Sequence, residues 1–420
     1  MFDYTVVNKV KTCLFNDEKI EKTIGILEEN LHSIDFDDED DMRNLTELIR
    51  SSLNFNGDKS LDGIKLVEFL VSKGYDLNFK FAKKSCLILE LLDYGVLRIN
   101  TFQKLIDMGA DPYSEKSGGS NILTVSAAKT FDRFYKQANE ECEKLSIYIA
   151  ENFDLSRLDH PNEYGITPLM YAIMKNKPNL VDALLKLGCD VNGAGGQPVN
   201  GYYYWMNLDG LAPIALTFRD GNVAMAKKLL DAGADETICD SQGTPALFAL
   251  VFAPSNRRDY NVPQQRDLSN RKGEIVKMLK QPDFADSNGE TLLMKALTRY
   301  DYTNDKKISP FDNEGVMAAL LERGVNVNAA NNKGMRPLHY AAQYWSGIVK
   351  ELLAAGAEID AQDNEGNTAL IYACDSGNEK LARLLVRKGA DFNIKNNDGK
   401  SAVDIAVEKG LSDVLEQIMQ

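Results

Sequence analysis

Two short apolar phrases alternate along most of this chain, and their spacing predicts pairs of short helices. The first opens on a glycine and runs into an apolar stripe. It reads Gly165-Ile166-Thr167-Pro168-Leu169-Met170-Tyr171-Ala172, Gly334-Met335-Arg336-Pro337-Leu338-His339-Tyr340-Ala341 and Gly366-Asn367-Thr368-Ala369-Leu370-Ile371-Tyr372-Ala373, with a worn copy at Gly210-Leu211-Ala212-Pro213-Ile214. In Thr167-Pro168 the hydroxyl suits an N-cap, and proline suits the first helical position, where the N–H would have no helical partner. The second phrase ends a helix. It reads Leu184-Leu185-Lys186-Leu187-Gly188-Cys189-Asp190-Val191-Asn192, Leu229-Leu230-Asp231-Ala232-Gly233-Ala234-Asp235, Leu320-Leu321-Glu322-Arg323-Gly324-Val325-Asn326-Val327-Asn328, Leu352-Leu353-Ala354-Ala355-Gly356-Ala357-Glu358-Ile359-Asp360 and Val386-Arg387-Lys388-Gly389-Ala390-Asp391-Phe392-Asn393. A glycine just past a leucine-rich turn takes the left-handed position that stops a helix, and the Asp and Asn that follow favour a tight turn.

The predicted unit is therefore helix, loop, helix, extended turn. Gly366 and Gly399 stand 33 residues apart and Gly334 precedes Gly366 by 32. One such amphipathic pair cannot bury its apolar face alone, so neighbours must stack on one another. The two phrases and the period resemble the ankyrin repeat family, most strongly from Asp159 onward. The resemblance implies an all-α solenoid with short hairpins, about nine or ten units long, whose concave groove and hairpin tips bind protein. Residues 1–60 are expected to form an N-terminal helical cap or degenerate repeat, with apolar periodicity at 20–31 and 42–53. Residues 61–158 read as degenerate repeats, 159–398 as repeats with insertions, and 399–420 as a polar C-terminal capping repeat. Lacking a linker rich in Pro, Gly or Ser, the chain reads as one continuous array.

Four glycine intervals, of 45 or 46 residues, exceed the period by about a dozen. One surplus falls in a hairpin, at 195–206. The other three fall between paired helices, near 129–140, 253–270 and 300–310, where a loop can be added without disturbing the stack. The hairpin insertion carries Tyr202, Tyr203, Tyr204, Trp205 and Met206, residue types over-represented at binding hot spots. It either grips a partner or folds back onto its own repeats. Tyr344 and Trp345 replace the small polar turn of neighbouring repeats, and Tyr300 and Tyr302 sit in an inter-helix insertion. Lys333, Met335 and Arg336 are candidates by their place at a hairpin.

Composition narrows the partner. Of 420 residues, 48 are Lys or Arg and 62 are Asp or Glu, a net charge of −14. Neither a nucleic-acid backbone nor an anionic membrane suits such a chain. The basic residues Arg257, Arg258, Arg266 and Arg271 read as local salt links. No signal peptide or membrane-spanning run is read. Six cysteines without a CxxC pair read as reduced thiols in the cytoplasm. Three histidines, His32, His160 and His339, lack metal spacing, and the resemblance implies a structural hydrogen bond at His339. The acidic residues 35–41 lack the central glycine and distant glutamate of a calcium loop and read as a solvated loop or helix N-terminus. Residues 193–196, though glycine-rich, lack a phosphate loop's lysine.

No catalytic constellation, cofactor or metal site is expected. The chain reads as a non-enzymatic scaffold in the cytoplasm whose protein partner carries a basic patch. Alternatives are an immunity or antitoxin-type protein occluding one toxin, and a bacterial effector binding host proteins.

Overall fold

In the computed structural model, the described residues are 4–15, 20–53, 60–81, 85–130, 136–153, 158–193, 210–251, 262–298, 300–301, 306–307, 313–344 and 346–419. They form two compact units, Met1–Val199 and Asn200–Gln420.

The first unit contains α1 (Tyr4–Phe15), α2 (Ile20–Asn30), α3 (Glu39–Leu53), α4 (Ser60–Ser72), α5 (Leu87–Tyr94), α6 (Ile99–Asp107), α7 (Ile122–Ala128), α8 (Lys136–Asn152), α9 (Pro168–Met174) and α10 (Pro178–Lys186). They stack in two rows: α4 on α6, α6 on α8 and α8 on α10 in one, α5 on α7 and α7 on α9 in the other. Leucines buried between the rows, among them Leu66, Leu89, Leu105 and Leu184, form the core. The acidic run starts α3: the Asp41 N–H donates to Asp38 Oδ1 at 2.9 Å, and Asp41 Oδ2 in turn accepts from the Asp35 N–H at 3.0 Å. Carboxylates there meet the positive end of the helix.

The second unit contains α11 (Pro213–Asp220), α12 (Val223–Asp231), a 3-10 turn (Ala246–Leu250), α13 (Val262–Val276), α14 (Leu292–Leu297), α15 (Glu314–Glu322), α16 (Pro337–Tyr344), α17 (Val349–Ala354), α18 (Ala369–Asp375), α19 (Glu379–Arg387), α20 (Ala402–Glu408) and α21 (Ser412–Met419). The inner row runs α11, 3-10 turn, α14, α16, α18, α20, each packed on the next. The cap expected at Thr167 is present, and others join it. Thr167, Thr291 and Thr368 accept the N–H three residues on, and Ser401 and Asp404 form a reciprocal capping box.

Two insertions read as loops are partly helix. Residues 136–140 and 262–270 are the opening turns of α8 and α13, which run 17 and 15 residues. Contact accounts for the α13 extension: its residue Ser269 accepts the Gly315 N–H through Oγ at 2.9 Å, and Gly273 lies against the Gly315 carbonyl. In the third insertion Tyr300–Asp301 pairs antiparallel with Lys306–Lys307, Tyr300 opposite Lys307.

Candidate protein-binding surface

The turns at Asn162, Asp240, Asp286, Asn331, Asp363 and Asn396 are each closed by one Asx side chain. Asn331 Oδ1 accepts the N–H groups of Lys333 and Met335, both at 2.9 Å, and Asp363 Oδ1 accepts those of Glu365 and Asn367 at 3.0 and 2.8 Å. The next residue reaches across to the preceding repeat. The Asn332 N–H donates to the Asn288 carbonyl at 2.8 Å, that of Asn364 to Lys333 at 2.9 Å, and that of Asn397 to Glu365 at 2.9 Å. Their side-chain amides repeat the step, Asn332 to Ser287, Asn364 to Asn332 and Asn397 to Asn364, at 3.0, 3.0 and 2.9 Å. The outcome is an asparagine ladder along the hairpin edge that fixes one tip against the next.

Behind the ladder lies a polar cluster that the sequence reading missed. Tyr340 Oη donates to Glu290 Oε1 at 2.6 Å and accepts from Asn331 Nδ2 at 3.0 Å, while Lys295 pairs with Glu290 and, at 3.6 Å, with Asp286. Burial raises the Glu290 carboxyl, but hydrogen bonds from Lys295 and Tyr340 outweigh it and hold the group below its ordinary value. One repeat on, Tyr372 Oη donates to Asp363 Oδ2 at 2.6 Å. The detectable signal is an Asx nine residues before a tyrosine, as in Asn162 and Tyr171, Asn331 and Tyr340, and Asp363 and Tyr372.

His339 is buried and its hydrogen bonds are structural. Nδ1 accepts the Arg336 N–H at 2.9 Å, which puts the ring proton on Nε2, where it is donated to the Ala361 carbonyl at 2.9 Å. Burial lowers its pKa.

Of the expected contact residues, Lys333 is exposed and Met335 is half-buried, while Arg336 pairs with Glu358, in the turn that ends its own unit, at 2.5 Å. Tyr344 closes α16 and Tyr300 opens the small hairpin. Tyr202, Tyr203, Tyr204, Trp205, Met206, Tyr302 and Trp345 lie outside the described residues. The expected salt links occur at Arg271, 3.0 Å from Asp267, and at Arg266, 4.0 Å from Glu314, while Arg257 and Arg258 lie outside the described residues. Among the described residues no group of His, Cys, Asp or Glu could hold a metal ion, and no helix is long and apolar enough to cross a membrane.

Stacked helix pairs joined by laddered turns define a tandem helical-repeat protein, and helical repeats of this class are protein–protein interaction modules. Family models agree on which class: one describing three copies of ankyrin repeats matches residues 268–363 and 344–420, and one describing a single ankyrin repeat matches 164–193. Residues 164–193 and 268–420 are ankyrin repeats. It is similar to the ankyrin repeat protein FPV115 of Fowlpox virus (strain NVSL), 27% identical over 339 residues, covering 77% of this chain and 54% of that protein. It is also similar to the palmitoyltransferase ZDHHC13 of Danio rerio, 26% identical over 270 residues, covering 64% of this chain and 30% of that protein. The chain thus spans about half the length of the first relative and under a third of the second. A solved structure, the ankyrin repeat domain of Bcl-3, matches with a TM-score of 0.46 at 23% identity, covering 60% of this chain and 99% of that one.

Proposed function

We propose that this chain is a non-enzymatic, cytoplasmic binding scaffold that holds a protein partner bearing a basic patch. The observation that carries the reading is the laddered hairpin edge, because it presents successive tips in fixed register with exposed acidic residues such as Glu365 and Asp398 at neighbouring tips. The net charge of −14 supports a basic partner. All six cysteines are free thiols, five of them buried, which suits a reducing compartment. The aromatic run from Tyr202 to Met206 supplies the anchor, and Lys333, Met335, Tyr344, Trp345, Tyr300 and Tyr302 add contacts. Arg336 contributes through Glu358, whose carboxylate it orients.

The test is co-purification of the tagged chain from source lysate with mass spectrometry, run beside the Tyr203→Ala/Trp205→Ala double variant. The scaffold reading expects a stoichiometric basic protein that the variant loses while keeping its melting curve. Retention of the partner at full strength by a folded variant removes the aromatic anchor.

A further inference from the structure

Equivalent positions can be followed from repeat to repeat in the second unit. On the inner row, Leu338 and Ala342 of α16 are buried, as are Leu370 and Cys374 of α18. There α18 packs on α16 and α20 on α18, which accounts for that burial. The same positions of α20, 33 residues beyond those of α18, are Val403, which is half-buried, and Val407, which is 61% exposed. The outer row repeats the pattern. Ala382 and Leu385 of α19 are buried where α21 packs on it, whereas their counterparts on α21, Leu415 and Ile418, are half-buried. Spaced by four and by three, each pair shares one side of its helix. Because α20 and α21 pack together, the two stripes adjoin as one open apolar face.

An outward face in this chain need not be apolar: α1 exposes only polar side chains among its described residues, Thr5, Asn8, Lys9 and Thr12. What covers the matching face one repeat earlier is a helix, so the shape on offer suits a helix. Charge narrows the occupant further. Asp404, Glu408 and Glu416 are exposed beside Val403, Val407 and Leu415, and Asp413 is exposed at the start of α21. The lysines of the same repeat are already engaged, Lys400 by Glu408 and Lys409 by Asp375, both at 2.8 Å. An apolar stripe bordered by carboxylates is complementary to an amphipathic helix with a basic border. We propose that the open face of α20 and α21 docks a basic amphipathic helix of a partner protein, its apolar stripe on Val403, Val407, Leu415 and Ile418 and its lysines or arginines beside the carboxylates. Helices build this site, not hairpin tips, so it stands or falls separately from the binding proposed at the laddered edge.

The probe is a fluorescein-labelled peptide made of two copies of the heptad Lys-Leu-Ala-Lys-Leu-Ala-Lys, titrated with the full chain and followed by fluorescence anisotropy. Its counterpart with glutamate in place of every lysine is the charge control. The basic peptide should bind saturably and the acidic one should not. Val407→Gln alters an exposed position, so the variant should keep its melting curve, yet it should bind the basic peptide about tenfold more weakly, the worth of burying one valine. Affinity that is the same for the variant would show that the peptide is held by charge elsewhere on the chain. That result, equal binding of the two peptides, or no saturable binding overturns the proposal. A concentration-dependent dimer of the chain, seen by sedimentation equilibrium and lost in Val407→Gln, assigns the face to a second copy and overturns it as well.

Discussion

Two buried ionisable side chains carry pH signatures of the same sign in different pH ranges. Lys177, 4% exposed, donates from Nζ to the Ser126 carbonyl at 3.0 Å, near the C-terminus of α7. Burial pushes its ammonium down to about 8, against weaker upward pulls from Cys142 and Glu143. The unfolded chain keeps that proton up to about pH 10.4. Folding is therefore penalised below pH 8, on the order of 3 kcal/mol, and the penalty fades as pH rises from 8 towards 10. Lys177→Met should stabilise the chain by about 1–3 kcal/mol at pH 7, because an apolar isostere replaces a buried charge. Thermal melts of the two proteins at several pH values should converge above pH 10; a Met variant less stable at every pH would mean that the hydrogen bond to Ser126 outweighs burial. His339 acts in the same direction, at lower pH. Its Nδ1 lone pair is occupied by the Arg336 N–H, so protonation breaks a bond as well as charging a buried ring. Its folded pKa lies below the ordinary value, so its contribution is complete above pH 6.5 and is lost as the solution acidifies. His339→Leu should flatten the fall in melting temperature between pH 7 and pH 5; an unchanged slope would place the acid sensitivity elsewhere. The histidine's structural role was legible from its position after Pro337 and Leu338. Lys177 was not, since nothing near it in sequence announces that Ser126 lies over it.

Glycines separate contact from mere permissiveness at the level of helices. A Cβ at Gly315 would meet the Ser269 carbonyl oxygen at 2.4 Å, and one at Gly273 would meet the Gly315 oxygen at 2.5 Å. Backbone cannot yield cheaply there, so Gly315→Ala or Gly273→Ala should cost about 1–3 kcal/mol as α13 and α15 are pushed apart. Gly25 in α2 meets nothing within 4 Å, and Gly25→Ala should add about 0.5–1 kcal/mol. Stability in stacked repeats is close to a sum over neighbours, so amide hydrogen exchange in the affected helices is the appropriate measurement. Equal effects at the three positions would refute the contact argument. The paired helices from α9 onward were readable because Thr-Pro starts and Leu-Leu-x-x-Gly stops are local signals with local causes. α1 escaped notice because it carries neither phrase. The added turns of α8 and α13 were hidden because the counted surplus says how many residues are extra, not whether they coil or extend. Asn332, Asn364 and Asn397 were visible as turn residues, yet their ladder depends on the stacking register that brings residues 32 or 33 positions apart side by side.

A charge of −14 spread over 420 residues acts at a distance that no single contact reaches. At 0.1 M salt the Debye length is about 10 Å, so the field of an acidic surface guides a basic partner mainly during approach and is screened as salt is added. Short-range contacts made after docking are screened much less. Salt should therefore slow association and leave dissociation nearly unchanged, which separates steering from grip. Glu365 and Asp398 are exposed at neighbouring tips, in the position held by Lys333 one repeat earlier and Asn288 before that. Reversing both, Glu365→Lys with Asp398→Lys, places three consecutive cations along the ladder from residue 333. The double variant should lower the association rate for the co-purified partner by about tenfold at low salt, and the difference should shrink as salt is raised to 0.3 M. Stopped-flow or surface-based kinetics over that range provide the measurement. A rate indifferent to both salt and charge reversal would leave the acidic composition serving solubility alone, with recognition resting on apolar contacts such as those of the aromatic run.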